Sequence, residues 1–296
     1  MLENGIEAFG LRDDAAVLRL PAGGPLVASV DSVVEGVHFD LALCSVADVG
    51  WKALMGALSD LAAMGAAPLG ALVALCVPGG SGQGDLALGV MAGVAEASAA
   101  AGCPVVGGDV SASDILVVAV TVLGTIPDGG PPPVGRSGAL AGDVLLVTGP
   151  CGGSAAGLRE LRAGREGTPS GAAYRRPVAR LGAGEMARVG GVHAMIDVSD
   201  GLALDVHRLA DASGVGFVLD TIPVAHDASE GEALAGGEDY ELVLAADRGA
   251  AGVLVDEFVG AGLARPVRIG AVVDDPATRL LRGEALPRLG WQHRLG

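Results

Sequence analysis

A chain of 296 residues has room for one large domain or two ordinary ones, and two are expected here. Half of it is hydrophobic, yet only 3% is aromatic and 49 residues are glycine, so the core is to be built from Ala, Val and Leu, which is a globular composition and excludes a disordered one. Nineteen Lys and Arg against 35 Asp and Glu leave a net charge of −16, which argues against a nucleic-acid-binding surface and means that any phosphate bound here needs the help of cations.

Taken in chain order, residues 15–20 and 26–31 read as two short strands joined by the turn 21–25, with Asp13, Asp14 and Asp31 gathered at strand ends. Asp31 opens DSVVEGVHFD, which brings Glu35, His38 and Asp40 close behind. Residues 50–68, GWKALMGALSDLAAMGAAP, repeat Ala53, Leu54, Ala57, Leu58, Leu61 and Met64 at three- and four-residue spacing, the pattern of a helix packed on a core. Asp60 lies among them, where an unpartnered carboxylate is costly, so it is to be neutral, capping, or facing a cation. On hydropathy alone 53–77 resembles a membrane span, but Asp60, Pro68 and the change to a strand pattern at 70–77 argue against one. A helix follows over 83–101, then a short buried strand at 104–106 ending in Gly107, Gly108 and Asp109, then a long Val-rich strand over 114–125.

The stretch 127–135, PDGGPPPVG, is the clearest break, and the domain boundary is placed there, giving domains 1–135 and 136–296. Beyond it, strand 143–148 feeds the glycine-rich turn GPCGGSAAGL, which opens a helix but matches neither dinucleotide nor P-loop patterns. Arg175, Arg176, Arg180 and Arg188 fall on a helix pattern over 174–189 and read as a solvated face. Strand 192–198 ends in IDVSDGLALD, which puts Asp197, Ser199 and Asp200 at one strand-to-helix junction: an N-cap, or oxygen ligands for a hard cation. After a strand at 215–222, Gly236-Gly237-Glu238-Asp239 leads into another strand. A helix at 251–259, a strand at 267–273 and a tail with Trp291 and His293 complete the chain; Trp291 is a stacking surface or packs the tail onto the body. The order of elements is α/β, although the two adjacent strands at the start argue against a simple doubly wound sheet.

The cysteines, Cys44, Cys76, Cys103 and Cys151, have no redox or zinc spacing and read as reduced core residues; with no signal-peptide pattern near the first residue, a cytoplasmic protein is expected. The five histidines show no zinc-protease pattern, there is no EF-hand loop, and no nucleophile elbow occurs. What stands out is Asp14, Asp31, Asp60, Asp109, Asp197 and Asp200, all at or near the ends of apolar segments. If they converge, their repulsion demands several Mg²⁺ ions, which typically join one or two carboxylates to substrate phosphates. Phosphoryl transfer is the class this favours, because its catalysis is mainly positioning and charge neutralisation.

Seven segments, RDDAAV, DSVVEGVHF, WKAL with LSDLAAMGAAP, GGD, RSGALAGDVLLVTG, IDVSDGL and GGEDYEL, occur in an order that resembles the thiamine-monophosphate kinase family of the aminoimidazole-ribotide synthetase superfamily. The resemblance runs over nearly the whole chain. It implies an N-terminal domain whose sheet pairs with that of a second subunit, a C-terminal α/β domain, and a homodimer with its active site between the domains. It implies ATP-dependent phosphorylation of thiamine monophosphate to thiamine diphosphate. Carried over residue by residue, Asp14, Ser29, Val30, Asp31, Asp60, Asp109, Asp197 and Asp200 would hold Mg²⁺. Gly108, Asp109, Arg136 and Ser199 would contact ATP, and His38, Glu238 or Asp239, and Trp291 the thiamine phosphate. Arg12, Ala57, Val110 and Arg294 depart from the family's usual residues. Two alternatives share these motifs: a related synthetase with a different acceptor, and a nucleotide-binding member without catalysis.

Overall fold

The structure is a computed structural model that describes residues 6–7, 16–19, 24–80 and 82–292. The N-terminal half runs β1 (Ile6–Glu7), β2 (Ala16–Arg19), β3 (Pro25–Val34), α1 (Val46–Ala63), β4 (Ala67–Pro78), α2 (Gln83–Ala101), β5 (Val105–Ser113) and β6 (Val117–Thr125). Its strands form one sheet in the order β1-β2-β3-β6-β4-β5, antiparallel except between β4 and β5. Alternation across this sheet sets its two faces. Val27, Val33, Val118, Val120, Val122, Val73 and Leu75 point inward onto α1 and form the first core. Ser29 and Asp31 pair with Val122 and Val120, so they share the inner face.

Helix α1 starts where Ser45 makes a capping box with Asp48, each side chain accepting from the other's main-chain N–H. Its neighbour α2 approaches until the backbones touch: a Cβ on Gly93 would lie 1.8 Å from the carbonyl oxygen of Ala47, so glycine is required there.

The C-terminal half runs β7 (Val144–Val147), α3 (Gly153–Arg162), α4 (Pro169–Arg175), α5 (Leu181–Val189), β8 (Ala194–Asp197), α6 (Leu202–Ser213), β9 (Gly216–Leu219), α7 (Glu230–Ala235), β10 (Leu242–Ala246), α8 (Ala251–Gly260), β11 (Val267–Val273), β12 (Arg279–Leu281) and β13 (Glu284–Ala285). Its sheet has the order β13-β12-β9-β11-β7-β10-β8 and is antiparallel apart from the β9–β12 pair. One face packs on α6, the other on α5 and α8. Two cross-connections lock the halves together. Ala62 and Ala63 at the end of α1 belong to the core of α5 and α8, while Leu161 and Tyr174 from α3 and α4 join the N-terminal core.

Several expectations are corrected. The strand expected at 104–106 runs on as β5 through Gly107, Gly108 and Asp109, and it is exposed because it is the sheet's edge. Asp31 sits inside β3 and not at its end. The segment 174–189 holds parts of two helices, and its arginines are no solvated face: Arg188 is buried and donates to the carbonyls of Gly65 and Pro131, and Arg180 pairs with Glu241. All four cysteines are free, with Cys76 only partly buried. No described helix is long and apolar enough to cross a membrane.

Candidate active site

A cavity of about 520 Å³ opens where the two halves meet, and α1 contributes Gly56 and Asp60 to its lining. Lys52, Gly56, Ser59, Asp60 and Ala63 recur at the spacing of one face of that helix. Each meets the C-terminal half or the inner sheet face. Ser59 Oγ donates to Asp197 Oδ2 at 2.6 Å, fully buried. Ser29 Oγ, on β3, donates to Asp60 Oδ2. Gly56 leaves room for Tyr240, whose hydroxyl would lie 2.9 Å from a Cβ at that position.

Asp31, Asp60, Asp197 and Asp200 therefore line the cleft, supplied by β3, α1, the end of β8 and the turn before α6. Burial raises the pKa of Asp31 above the ordinary carboxylate value, opposed mainly by the Ser32 amide that donates to its Oδ1 at 2.7 Å and by His38. Asp200 is held by Arg208, which also reaches Asp205 Oδ1 at 2.7 Å. Asp205 is fully buried and accepts from the main-chain amides of Asp200 and Gly201, at 2.9 and 3.1 Å; burial pushes its pKa up to about 6. The tail returns over this turn, where the Trp291 amide donates to the carbonyl of Asp200 at 2.8 Å.

The same cleft is lined by His38, Tyr174, Glu238 and Trp291. His38 Nδ1 accepts from the Val34 amide at 3.1 Å, so the neutral ring bears its proton on Nε2. Glu238 follows two glycines and has φ of +64°, a left-handed backbone that costs a non-glycine residue energy; its amide donates to the Ser199 carbonyl at 2.8 Å. Asp239 turns the other way. Its carboxylate accepts from the amides of Gly152 and Ser154, at 2.5 and 3.2 Å, and so caps the turn into α3; burial raises its pKa to about 7. Of the two acids that sequence left as alternatives, the cleft receives Glu238.

Ser199 also lines the cleft, but other expected residues do not. Val30 projects from the sheet's outer face, 65% exposed, because it alternates with Ser29 and Asp31. Gly108 and Asp109 lie on edge strand β5, where Asp109 pairs in register with Ala74 and accepts from Ser111 Oγ. Arg136 is at the far end of α6, its carbonyl accepting from Ser213. Asp14 lies outside the described residues. Conversely, Ser59, Lys52 and Tyr240 were not singled out by the sequence reading. Lys52 carried a signal: it is the only lysine in the chain, set in the most apolar helix pattern.

Family models match both halves: AIR synthase related protein, N-terminal domain, over residues 12–126, and its C-terminal domain over 141–282. Thiamine-monophosphate kinase of Mycobacterium tuberculosis is 38% identical, covering 96% of this chain and 85% of that protein. Thiamine-monophosphate kinase of Synechococcus elongatus is also 38% identical, covering 78% and 75%. A solved structure described as AaThiL complexed with AMPPCP and TMP superposes with a TM-score of 0.84 at 29% identity, covering 96% of this chain and 91% of the other. The chain belongs to the AIR synthase related family and, within it, to the thiamine-monophosphate kinase family.

Proposed function

We propose that this chain transfers the γ-phosphoryl group of ATP to thiamine monophosphate, in line, giving thiamine diphosphate and ADP. The observation that carries the reading is that four carboxylates from both halves line one cleft together with an imidazole, a further carboxylate and an indole. The membership in the thiamine-monophosphate kinase family and the likeness to the complex with AMPPCP and TMP support it.

The donor set suits Mg²⁺. Asp31, Asp60, Asp197 and Asp200 offer only oxygen, with the Ser29 hydroxyl beside Asp60, and hard cations prefer oxygen. Among the described residues no three acidic, imidazole or thiol groups stand close enough to hold one ion alone. Mg²⁺ typically joins one or two carboxylates to substrate phosphates. When bound, the ions would neutralise the phosphates against a chain of charge −16.

The chain's own residues do the remaining work. His38 Nε2–H donates to the accepting phosphate, which is already largely ionised at neutral pH and needs no strong base. The face of Trp291 receives the cationic thiazolium or the pyrimidine. Glu238 accepts hydrogen bonds from the acceptor's amino group, and Ser199 faces the nucleotide. The outer face of the N-terminal sheet, with Val30 and Leu72 exposed in one row, supports the inference of a homodimer formed through that face. Leu72→Glu is expected to give a monomer in analytical ultracentrifugation; an unchanged sedimentation coefficient would remove the sheet from the interface.

The deciding experiment follows product formation by purified protein with ATP, Mg²⁺ and thiamine monophosphate, beside controls without acceptor and with chelator. Metal-dependent thiamine diphosphate is the expected result. ADP release without it would mean a different acceptor, and nucleotide binding without either product a non-catalytic member.

A further inference from the structure

A lysine is costly to bury, yet Lys52, on α1 one turn before Gly56 of the cleft lining, is 1% exposed. Its ammonium has three N–H groups and meets three acceptors. It donates to Glu238 Oε2 at 2.6 Å and to the carbonyl of His38 at 3.3 Å, and it stands 3.9 Å from the centroid of the Tyr174 ring. These partners come from the loop before α1, the loop before β10, and α4, so one side chain ties together three segments that are remote in sequence. All three line the cleft.

A leucine or methionine would fill this space without the desolvation cost, so packing alone does not account for the charge. What the charge does is visible at Glu238. Its left-handed backbone leaves the side chain in need of an external hold, and Lys52 takes one carboxylate oxygen while 23% of the side chain stays open to the cleft.

We propose that Lys52 is the positioning residue of the acceptor site: it fixes Glu238 as an oriented carboxylate that selects acceptors carrying an N–H donor, such as an aminopyrimidine, while leaving the nucleotide half of the cleft alone. This rests on the acceptor reading above. Lys52 is buried outside the cleft lining and acts through Glu238 and His38.

The test compares wild type, Lys52→Met, Glu238→Gln and the double variant, reading KM for thiamine monophosphate, KM for ATP, kcat and Tm. Losing an oriented charge-assisted hydrogen bond is expected to raise the acceptor KM of Lys52→Met by about 10- to 100-fold, with the ATP KM changed less than about twofold. Because the two residues act as a unit, the double variant should be no worse for the acceptor than Glu238→Gln alone. That comparison stands even if the unpaired carboxylate keeps Lys52→Met from folding. Equal rises in both KM values, an unchanged acceptor KM, or additive losses in the double variant would each overturn the proposal. Wild type that makes no thiamine diphosphate would take down the acceptor reading and this proposal together, whereas an active wild type with additive variants sinks the proposal alone.

Discussion

The turn between β8 and α6 and the loop between α7 and β10 both carry clustered acids, and they divide them alike. In the first, Asp200 opens to the cleft while Asp205 is buried beneath it. In the second, Glu238 opens to the cleft while Asp239 and Glu241 are turned into the frame, Glu241 receiving Thr148 Oγ1 at 2.5 Å and Arg180 at 2.6 and 3.0 Å. Asp205 and Asp239 accept main-chain amides, which fix loop shape; Asp200 and Glu238 are held on one side by a cation and stay accessible on the other. The loops differ in that cation. Arg208 is a third exposed, whereas Lys52 is 1% exposed.

If that division is right, substitutions in the two classes fail differently. Asp60→Asn and Asp200→Asn should each cut kcat by about 10³-fold or more, the scale of losing a charge that stabilises the transferring phosphoryl group, with Tm nearly unchanged. Near-normal turnover in both would end the metal assignment. Asp205→Ala should show the reverse balance. It strands two amides and part of Arg208, so stability should fall by about 2–3 kcal/mol in urea unfolding, while Asp205→Asn, which keeps an acceptor, recovers most of it.

Asp239 gives a pH signature that can be tested apart from the cleft, because its carboxylate serves the turn into α3. Burial raises its pKa in the folded state to about 7, well above the ordinary aspartate value, so between the two the folded state keeps a proton that the unfolded chain has lost. Its contribution is fully present below about pH 4 and disappears as pH rises through about 7. Asp239→Asn keeps the acceptor and removes the titration, so its stability profile over that range should be flatter than wild type by up to about 1 kcal/mol per pH unit. Parallel profiles would mean that Asp239 is ionised throughout.

Much of this was legible in the sequence because it is local. The apolar spacing of residues 53–64 marks the helix that brings Gly56 and Asp60 to the cleft, and Asp197 and Asp200 of IDVSDGL and Glu238 of GGEDYEL line it. What the sequence did not show is non-local. Nothing near Arg188 says that two carbonyls from the N-terminal half will wrap its guanidinium, and nothing near Lys52 announces Glu238, 186 residues away. Ser29, Val30 and Asp31 stood together as ligands in the motif, but strand alternation sends Val30 to the opposite face. Asp109 was grouped with the acids by its type and its neighbouring glycines, whereas the pairing of β5 with β4 puts it on an exposed edge. Register decides such cases, and register is set by strands remote in the chain.

The smallest effect is expected at Trp291, where the two functions of one residue can be separated. Its amide holds the carbonyl of Asp200, and that bond survives any side-chain change. Its ring is half exposed and lines the cleft. Trp291→Ala should therefore keep this main-chain bond and remove a stacking face, raising the KM for thiamine monophosphate by about tenfold, the value of a cation–π contact of about 1–2 kcal/mol, with the KM for ATP nearly constant. Trp291→Phe, with a weaker π-face, should fall between. Equal losses for both substrates would mean that the indole instead packs the tail against the turn, and that the metal site and the acceptor site are coupled through the strap from Gly290 to Trp291.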